Sequence, residues 1–321
     1  MRKISFWSLL LGLTFGSLAF VACGGDDDDD SPSNGGGGNN NNPQSLDIKG
    51  AWSTSHQGLD GTSNSESWTF NADGTFEWIV TETNNVYGWT GSQYTKTLKT
   101  SQRKGTGTYT TADEAVTLNQ TDYYRSAEDG TMVKDTVVKP TTTVMAYIPY
   151  GNGFICMSRM GGINMFTRNG EARQLPNMAN HELIGKWQSV KQWNDQPFRE
   201  TRTTIEFKAD GSFLESNEQW DTENNYYFQG MRSYGYFVTL NNPLVSLEKK
   251  TIPTGVKFFS MVEDYTTYYE QNGERSGEWK FSACRFGGHP LQYIIKDGKL
   301  YFGMIGQEEQ WFYEHGYTKI N

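Results

Sequence analysis

Phe70-Asn71-Ala72-Asp73-Gly74-Thr75-Phe76 and Phe207-Lys208-Ala209-Asp210-Gly211-Ser212-Phe213 share one frame: Phe, two positions on an Ala-Asp-Gly, a hydroxyl, and Phe again. Each follows a Gly-x-Trp, Gly50-Ala51-Trp52 in the first case and Gly185-Lys186-Trp187 in the second. Two independent signals that recur in one order at nearly one separation mark a tandem duplication.

The repeated stretch has a readable geometry. Asn71 through Gly74 fits a type I turn whose last residue takes positive φ, which Gly reaches without a Cβ penalty, closing a hairpin with a bulge. Asn71 then faces Thr75, so Phe70 faces Phe76 and Trp68 faces Trp78, and these four rings lie on one face because side chains alternate along strands. In the second copy Phe207 faces Phe213, but Ile205 faces Glu215, a carboxylate where the first copy has Trp78.

Working outward, 321 residues suit two domains. They are expected over Ser45–Asn177 and His181–Asn321, separated by a short loop from Leu175 to Asn180, and each is long enough to bury a core. Short runs rich in Thr, Val and aromatics, punctuated by Asp129-Gly130, Gly151-Asn152-Gly153, Asn169-Gly170, Asn272-Gly273 and Asp297-Gly298, predict an all-β protein of sandwich or barrel type. Leu244–Lys249 is among the expected strands. Asn84 to Lys104 reads as a long polar loop, and Tyr234, Tyr236, Val238 and Leu240 share a face taken as inward. The net charge of −9, with no Lys/Arg stripe, argues against a nucleic-acid partner.

The N-terminus reads as a targeting segment. Arg2 and Lys3 precede an apolar run from Ile4 to Val21 that ends in Phe20-Val21-Ala22-Cys23. This resembles a bacterial lipoprotein signal, with Phe20 where Leu is usual; the alternative is an uncleaved transmembrane helix. The resemblance implies removal of residues 1–22 and an acylated Cys23 that anchors the chain in outer-membrane lipid. Residues 23–44, with Asp26 to Asp30 and Asn39 to Asn42, cannot form a core. They are expected to be a tether with a root-mean-square reach on the order of 25 Å. An acidic cluster after the lipidated Cys also resembles the surface-export signal of Bacteroidota lipoproteins, which implies a cell-surface location; loose calcium binding is a third option.

A Gly-x-Trp on the first strand followed by an aromatic antiparallel hairpin resembles the lipocalin-like domains of bacterial lipoproteins. The likeness covers both copies. It implies two tandem antiparallel up-and-down β-barrels, each closed at one end by its Trp under a basic side chain from the last strand: Arg168 over Trp52, and Lys319 over Trp187. Thr121-Asp122-Tyr123 resembles a second lipocalin motif but comes early after Trp52, and the second copy has only Glu263-Asp264-Tyr265.

Catalytic and metal signatures do not assemble. His181-Glu182-Leu183-Ile184 begins like a zinc-protease helix, but Gly185 stands where His is needed. His56, His289 and His315 read as isolated surface or turn residues, so no metal, cofactor or enzymatic activity is expected. After lipidation Cys156 and Cys284 remain; a disulfide between them is permitted outside the cytoplasm, but equivalent sites in tandem barrels usually lie too far apart for one, so two buried free thiols are expected. The aromatics either fill two small barrels or line a cup. Candidate ligand contacts are Trp68, Phe76, Trp78, Phe213, Glu215, Trp220 and Tyr227, with Glu215 otherwise turned to solvent by strand twist. Two functions follow as expectations: a non-enzymatic anchored protein that binds a small hydrophobic molecule or glycan in its barrels, or an envelope interaction protein with filled barrels that acts through surface loops.

Overall fold

The repeated turn is held by its aspartate in both copies. Asp73 Oδ1 accepts from the backbone N–H and the hydroxyl of Thr75 at 2.9 and 2.6 Å, and Asp210 Oδ1 from those of Ser212 at 3.0 and 2.6 Å. Gly74 and Gly211 take φ of 80° and 82°. The cross-strand pairs are Trp68 with Trp78, Phe70 with Phe76, Phe207 with Phe213 and Ile205 with Glu215, the register that the turn chemistry predicts.

The structure, a computed structural model, describes residues 46–57, 61–112, 115–240, 255–270, 280–282, 288, 290–304 and 316–321. Cys23, the tether, the expected strand at Leu244–Lys249, Cys284, His289 and His315 lie outside them. Every regular element described is a strand. The first copy contains β1 (Gly50–Gln57), β2 (Ser63–Phe70), β3 (Thr75–Thr90), β4 (Gln93–Ala112), β5 (Ala115–Ser126), β6 (Met132–Lys134), β7 (Thr141–Tyr150), β8 (Gly153–Met157) and β9 (Ile163–Arg168). The second contains β10 (Gly185–Trp193), β11 (Gln196–Phe207), β12 (Ser212–Asp221), β13 (Tyr226–Leu240), β14 (Lys257–Glu270), β15 (Lys280–Ser282), β16 (Pro290–Lys296), β17 (Lys299–Met304) and β18 (Tyr317–Ile320).

Strand neighbours run β4-β3-β2-β1-β9-β8-β7-β5, and a β4–β5 pairing closes these eight into a ring, with β6 hanging on β5. The second copy repeats the order as β13-β12-β11-β10-β18-β17-β16-β14, closed by β13–β14, with β15 on β14. Both are antiparallel up-and-down barrels, a topology that leaves no long unpaired edge.

Each ring closes where the first strand meets the last. Trp52 pairs with Arg168, and Trp187 with Lys319. The Arg168 guanidinium lies 4.4 Å from the Trp52 ring centroid, and the Lys319 ammonium 5.3 Å from that of Trp187. The indole N–H groups donate to Ile48 O at 2.6 Å and Leu183 O at 2.8 Å, which ties down the chain entering each barrel. Here the Gly of Gly-x-Trp has its reason. Gly50 and Gly185 take φ of 116° and 124°, and a Cβ would meet Arg168 Nη1 at 2.6 Å or Lys319 Cε at 2.5 Å.

Three expectations are corrected by the strand pattern. Asn84 to Lys104 is mostly a paired ribbon: β3 and β4 continue to Thr90 and Gln93 around Gly91, because alternating Thr and aromatic residues favour extended backbone even without a core to cover. The face of β13 that carries Tyr236, Val238 and Leu240 packs outside its barrel, whereas Phe237 points in. His56 is buried rather than superficial.

All described residues fall in one compact unit, and the two barrels share a core of their own. β1 and β9 pair only at Trp52–Arg168 and Ser53–Thr167. Beyond that point the second barrel takes up backbone groups of β9. Ile163 and Gly288 exchange N–H to O bonds at 2.5 and 2.9 Å, and Met165 N–H donates to Tyr236 Oη at 2.7 Å. Tyr150 Oη donates in turn to Phe237 O at 2.9 Å.

Two outcomes test this account. Gly185→Ala combines positive φ with a collision and lowers unfolding free energy by about 1–3 kcal/mol; a chemical-denaturation midpoint equal to the parent's contradicts it. Tyr236→Phe leaves a buried N–H without its partner and costs about 1–3 kcal/mol. Hydrogen exchange at Met165 should accelerate in that variant, and unchanged protection refutes the role assigned to the hydroxyl.

Candidate functional site

The first barrel is filled. Trp68, Phe76 and Trp78 are each only 2% exposed and pack with Trp52, Phe70 and Phe154. From the β8–β9 loop, the Arg159 guanidinium enters 4.2 Å from the Trp78 ring centroid and 5.3 Å from that of Trp68. Behind it Glu66 is fully buried, accepting from Trp68 Nε1 at 2.6 Å, Ser158 Oγ at 2.6 Å and Met160 N at 3.1 Å. Burial pushes the Glu66 carboxyl above its ordinary value, opposed by these donors and by Arg159. Cys156, a free buried thiol, is pushed up by burial and by the same carboxylate. The candidate ligand contacts of this barrel are therefore core residues, because the loop and its arginine occupy the space that a cup would need.

The second barrel has a different interior. Trp187, Ile205, Phe207, Phe213, Phe237, Phe259 and Tyr293 form its apolar end. Above them comes a polar layer. Glu215 lies opposite Ser233, and Ser233 opposite Thr266, whose hydroxyl donates to Glu263 at 2.6 Å. Paired residues share a face, so Glu215 follows Phe213 inward instead of turning to solvent. Burial, with the Glu263 charge adding to it, raises the Glu215 carboxyl to about 7. The Ser233 hydroxyl is buried with no hydrogen-bond partner among the described residues. Trp220 and Tyr227 are not part of this interior. They pair across β12 and β13 opposite Glu200, on the outer face with Arg202, whose guanidinium lies 4.8 Å from the Trp220 ring centroid.

A third locus, which the sequence does not announce, lies where the barrels meet. A cleft of about 450 Å³ runs along β1 and β9, lined by Ser53, Ser55, Gln57, Thr167, Glu171, Arg173 and Asp264. Arg173 binds Asp264 at 2.5 Å and stacks 4.1 Å from the Tyr236 ring centroid. Asp264 is the extra residue at the β14 register shift, since Tyr234 pairs with Tyr265 and Gly235 with Glu263. His56 enters the cleft from β1. Its Nε2 lies 2.8 Å from Asn164 Oδ1, while Asn164 Nδ2 donates to Gly161 O at 3.4 Å and thereby orients the amide. Nε2 is accordingly the protonated nitrogen. Burial lowers the His56 pKa, opposed by Asn164 and Asp264 and aided by Arg173, which favours the neutral ring. Nδ1 is then an acceptor with no hydrogen bond among the described residues, 3.8 Å from the Asp264 carboxylate. Two acceptors facing one gap invite a donor between them.

Among the described residues no three His, Cys, Asp or Glu side chains gather as a metal site. No protein-family model and no curated protein matches the chain.

The Glu215 carboxyl binds its proton more tightly in the folded state, so its contribution to stability is full below the ordinary 4.5 and lost as pH rises through about 7. That interval corresponds to at most about 3 kcal/mol. Glu215→Gln should leave stability at pH 4 nearly unchanged and raise it at pH 8. Denaturation curves at both values check this, and a parent–variant difference independent of pH refutes it.

Proposed function

We propose that the protein is a lipid-anchored, non-enzymatic surface lipoprotein of Bacteroidota type, with tandem lipocalin-like domains, that binds a small glycan fragment in the cleft between its barrels. The observation that carries this reading is the buried His56 Nδ1 facing the half-buried Asp264 carboxylate in a cleft that Ser53, Ser55 and Thr167 also line. A sugar hydroxyl supplies the donor that His56 Nδ1 lacks, and Gln57, Glu171 and Arg173 offer the mixed donors and acceptors that polyols need. Interfaces between domains are common places for such clefts. An apolar ligand is a poorer fit, because the cleft is polar and the first barrel is full. Acylation at Cys23 would hold the chain on outer-membrane lipid, with the acidic run after it directing export to the surface.

The competing reading, an envelope interaction protein with filled barrels, is favoured by the packed first barrel alone. Native mass spectrometry of the full-length chain in non-ionic detergent, offered a panel of neutral mono- and disaccharides, separates the two. The cleft reading expects a single adduct per chain, weakened about tenfold or more by His56→Phe or by Arg173→Ala. Absence of any adduct from the folded chain, or adducts indifferent to both substitutions, overturns it.

A further inference from the structure

Beyond the cleft, the β3–β4 ribbon is the part of the fold that no core explains. Pairing of β2 with β3 ends at Ser63–Thr83, and pairing of β4 with β5 ends at Arg103–Arg125, so among the described residues Asn84 to Lys99 form strand pairs only between β3 and β4. A lone two-stranded ribbon is marginal in water. This one nevertheless displays large rings: Trp89 is 72% exposed, Tyr94 58% and Tyr87 54%. Trp89 lies opposite Tyr94, and Tyr87 opposite Lys96, so all four share a face. The Tyr87 and Tyr94 rings stack at 5.6 Å, and Trp89 meets Tyr94 edge-on at 5.4 Å, forming a continuous aromatic flank.

Charge points to what covers it. The chain has a net charge of −9, yet positions 83 to 112 contain no Asp or Glu. Arg103 and Lys104 at the root are paired with Glu82 and Glu77. Farther out, Lys96 lies on the aromatic face and Lys99, opposite Asn84, on the other face, so the ribbon is a basic outgrowth on an acidic protein. Its turn, Thr90-Gly91-Ser92-Gln93, is polar, which suits broadside contact along the flank and not insertion of an apolar tip into hydrocarbon. The chain enters the barrel at Gly50, beside Phe70, at the far end of the 16-residue β3, so the ribbon's tip is roughly 50 Å from that entry.

We propose that this ribbon is a docking surface for an acidic polysaccharide laid along its aromatic flank. Pyranose rings stack on Trp89 and the tyrosines, and carboxylate or sulfate groups meet Lys96 on the same face, with Lys99 adding its charge from the other. The surface stands apart from the cleft, and its occupant differs from the cleft's in charge and length.

Affinity electrophoresis of the full-length chain in non-ionic detergent tests it, with gels containing polygalacturonate, chondroitin sulfate or neutral laminarin. Retardation is expected in at least one acidic gel and not in laminarin, and should weaken with added salt. Paired Trp89→Ala and Tyr94→Ala should reduce retardation on the order of tenfold, as should paired Lys96→Glu and Lys99→Glu. Val137→Ala, also exposed, should leave it unchanged. Circular-dichroism melts matching the parent's separate loss of binding from loss of fold. Equal retardation by laminarin, none in either acidic gel, or variants that bind like the parent overturn the proposal. So does flotation with phosphatidylglycerol vesicles that depends on the same residues while polysaccharide binding does not, since it assigns the flank to a membrane.

Discussion

Each barrel depends on a cation lying across a tryptophan where the last strand meets the first. A ring of strands is stable only if its ends join, and in both copies the join is short. Arg168 on Trp52 and Lys319 on Trp187 reinforce it with a contact that is neither backbone pairing nor simple apolar burial. Arg168 also donates to Lys49 O and Asp47 O, so one side chain fastens the last strand to the segment ahead of the first. Gly50 and Gly185 follow from this arrangement, because any Cβ there would stand where the cation must pass.

In the first copy the join stops early, and the architecture of the whole unit follows. Backbone groups of β9 that β1 does not take are taken by Gly288 and by the hydroxyl of Tyr236, so the second barrel completes the first. A buried backbone N–H without a partner would cost more than such a contact gains. The same limited pairing leaves a place for Asp264, Arg173 and His56 to meet. The cleft is thus a by-product of how the duplication was assembled, and its chemistry draws on both copies.

The copies have diverged inside. Where Trp78 faces Trp68 the first barrel is sealed by Arg159, while Glu215 in the equivalent position gives the second a polar layer with a carboxyl near neutrality. One fold therefore carries a solid core and a titrating one, which is expected when closure depends on the join and not on the contents.

Much of this was legible from local chemistry. The Asp-Gly turn dictates its own register, so the Trp68–Trp78, Phe70–Phe76 and Ile205–Glu215 pairs could be derived without the fold, and so could the duplication and the all-β class. Resemblance alone added the covering cations. What remained hidden depended on which face of a strand meets a second surface: Tyr236 and Val238 read as inward because alternation reveals two faces but not which one a neighbouring barrel covers. Asn84 to Lys104 read as loop because a ribbon without a core has no hydrophobic period. His56 and Asp264 are 208 positions apart in the sequence, and no spacing rule connects them. The sequence by itself determined the turns, the strands and the repeat, since these rest on neighbours along the chain. Only the tertiary structure decided that the first barrel is full, that Glu215 points inward and that the two copies share a cleft, because each depends on side chains that folding alone brings together.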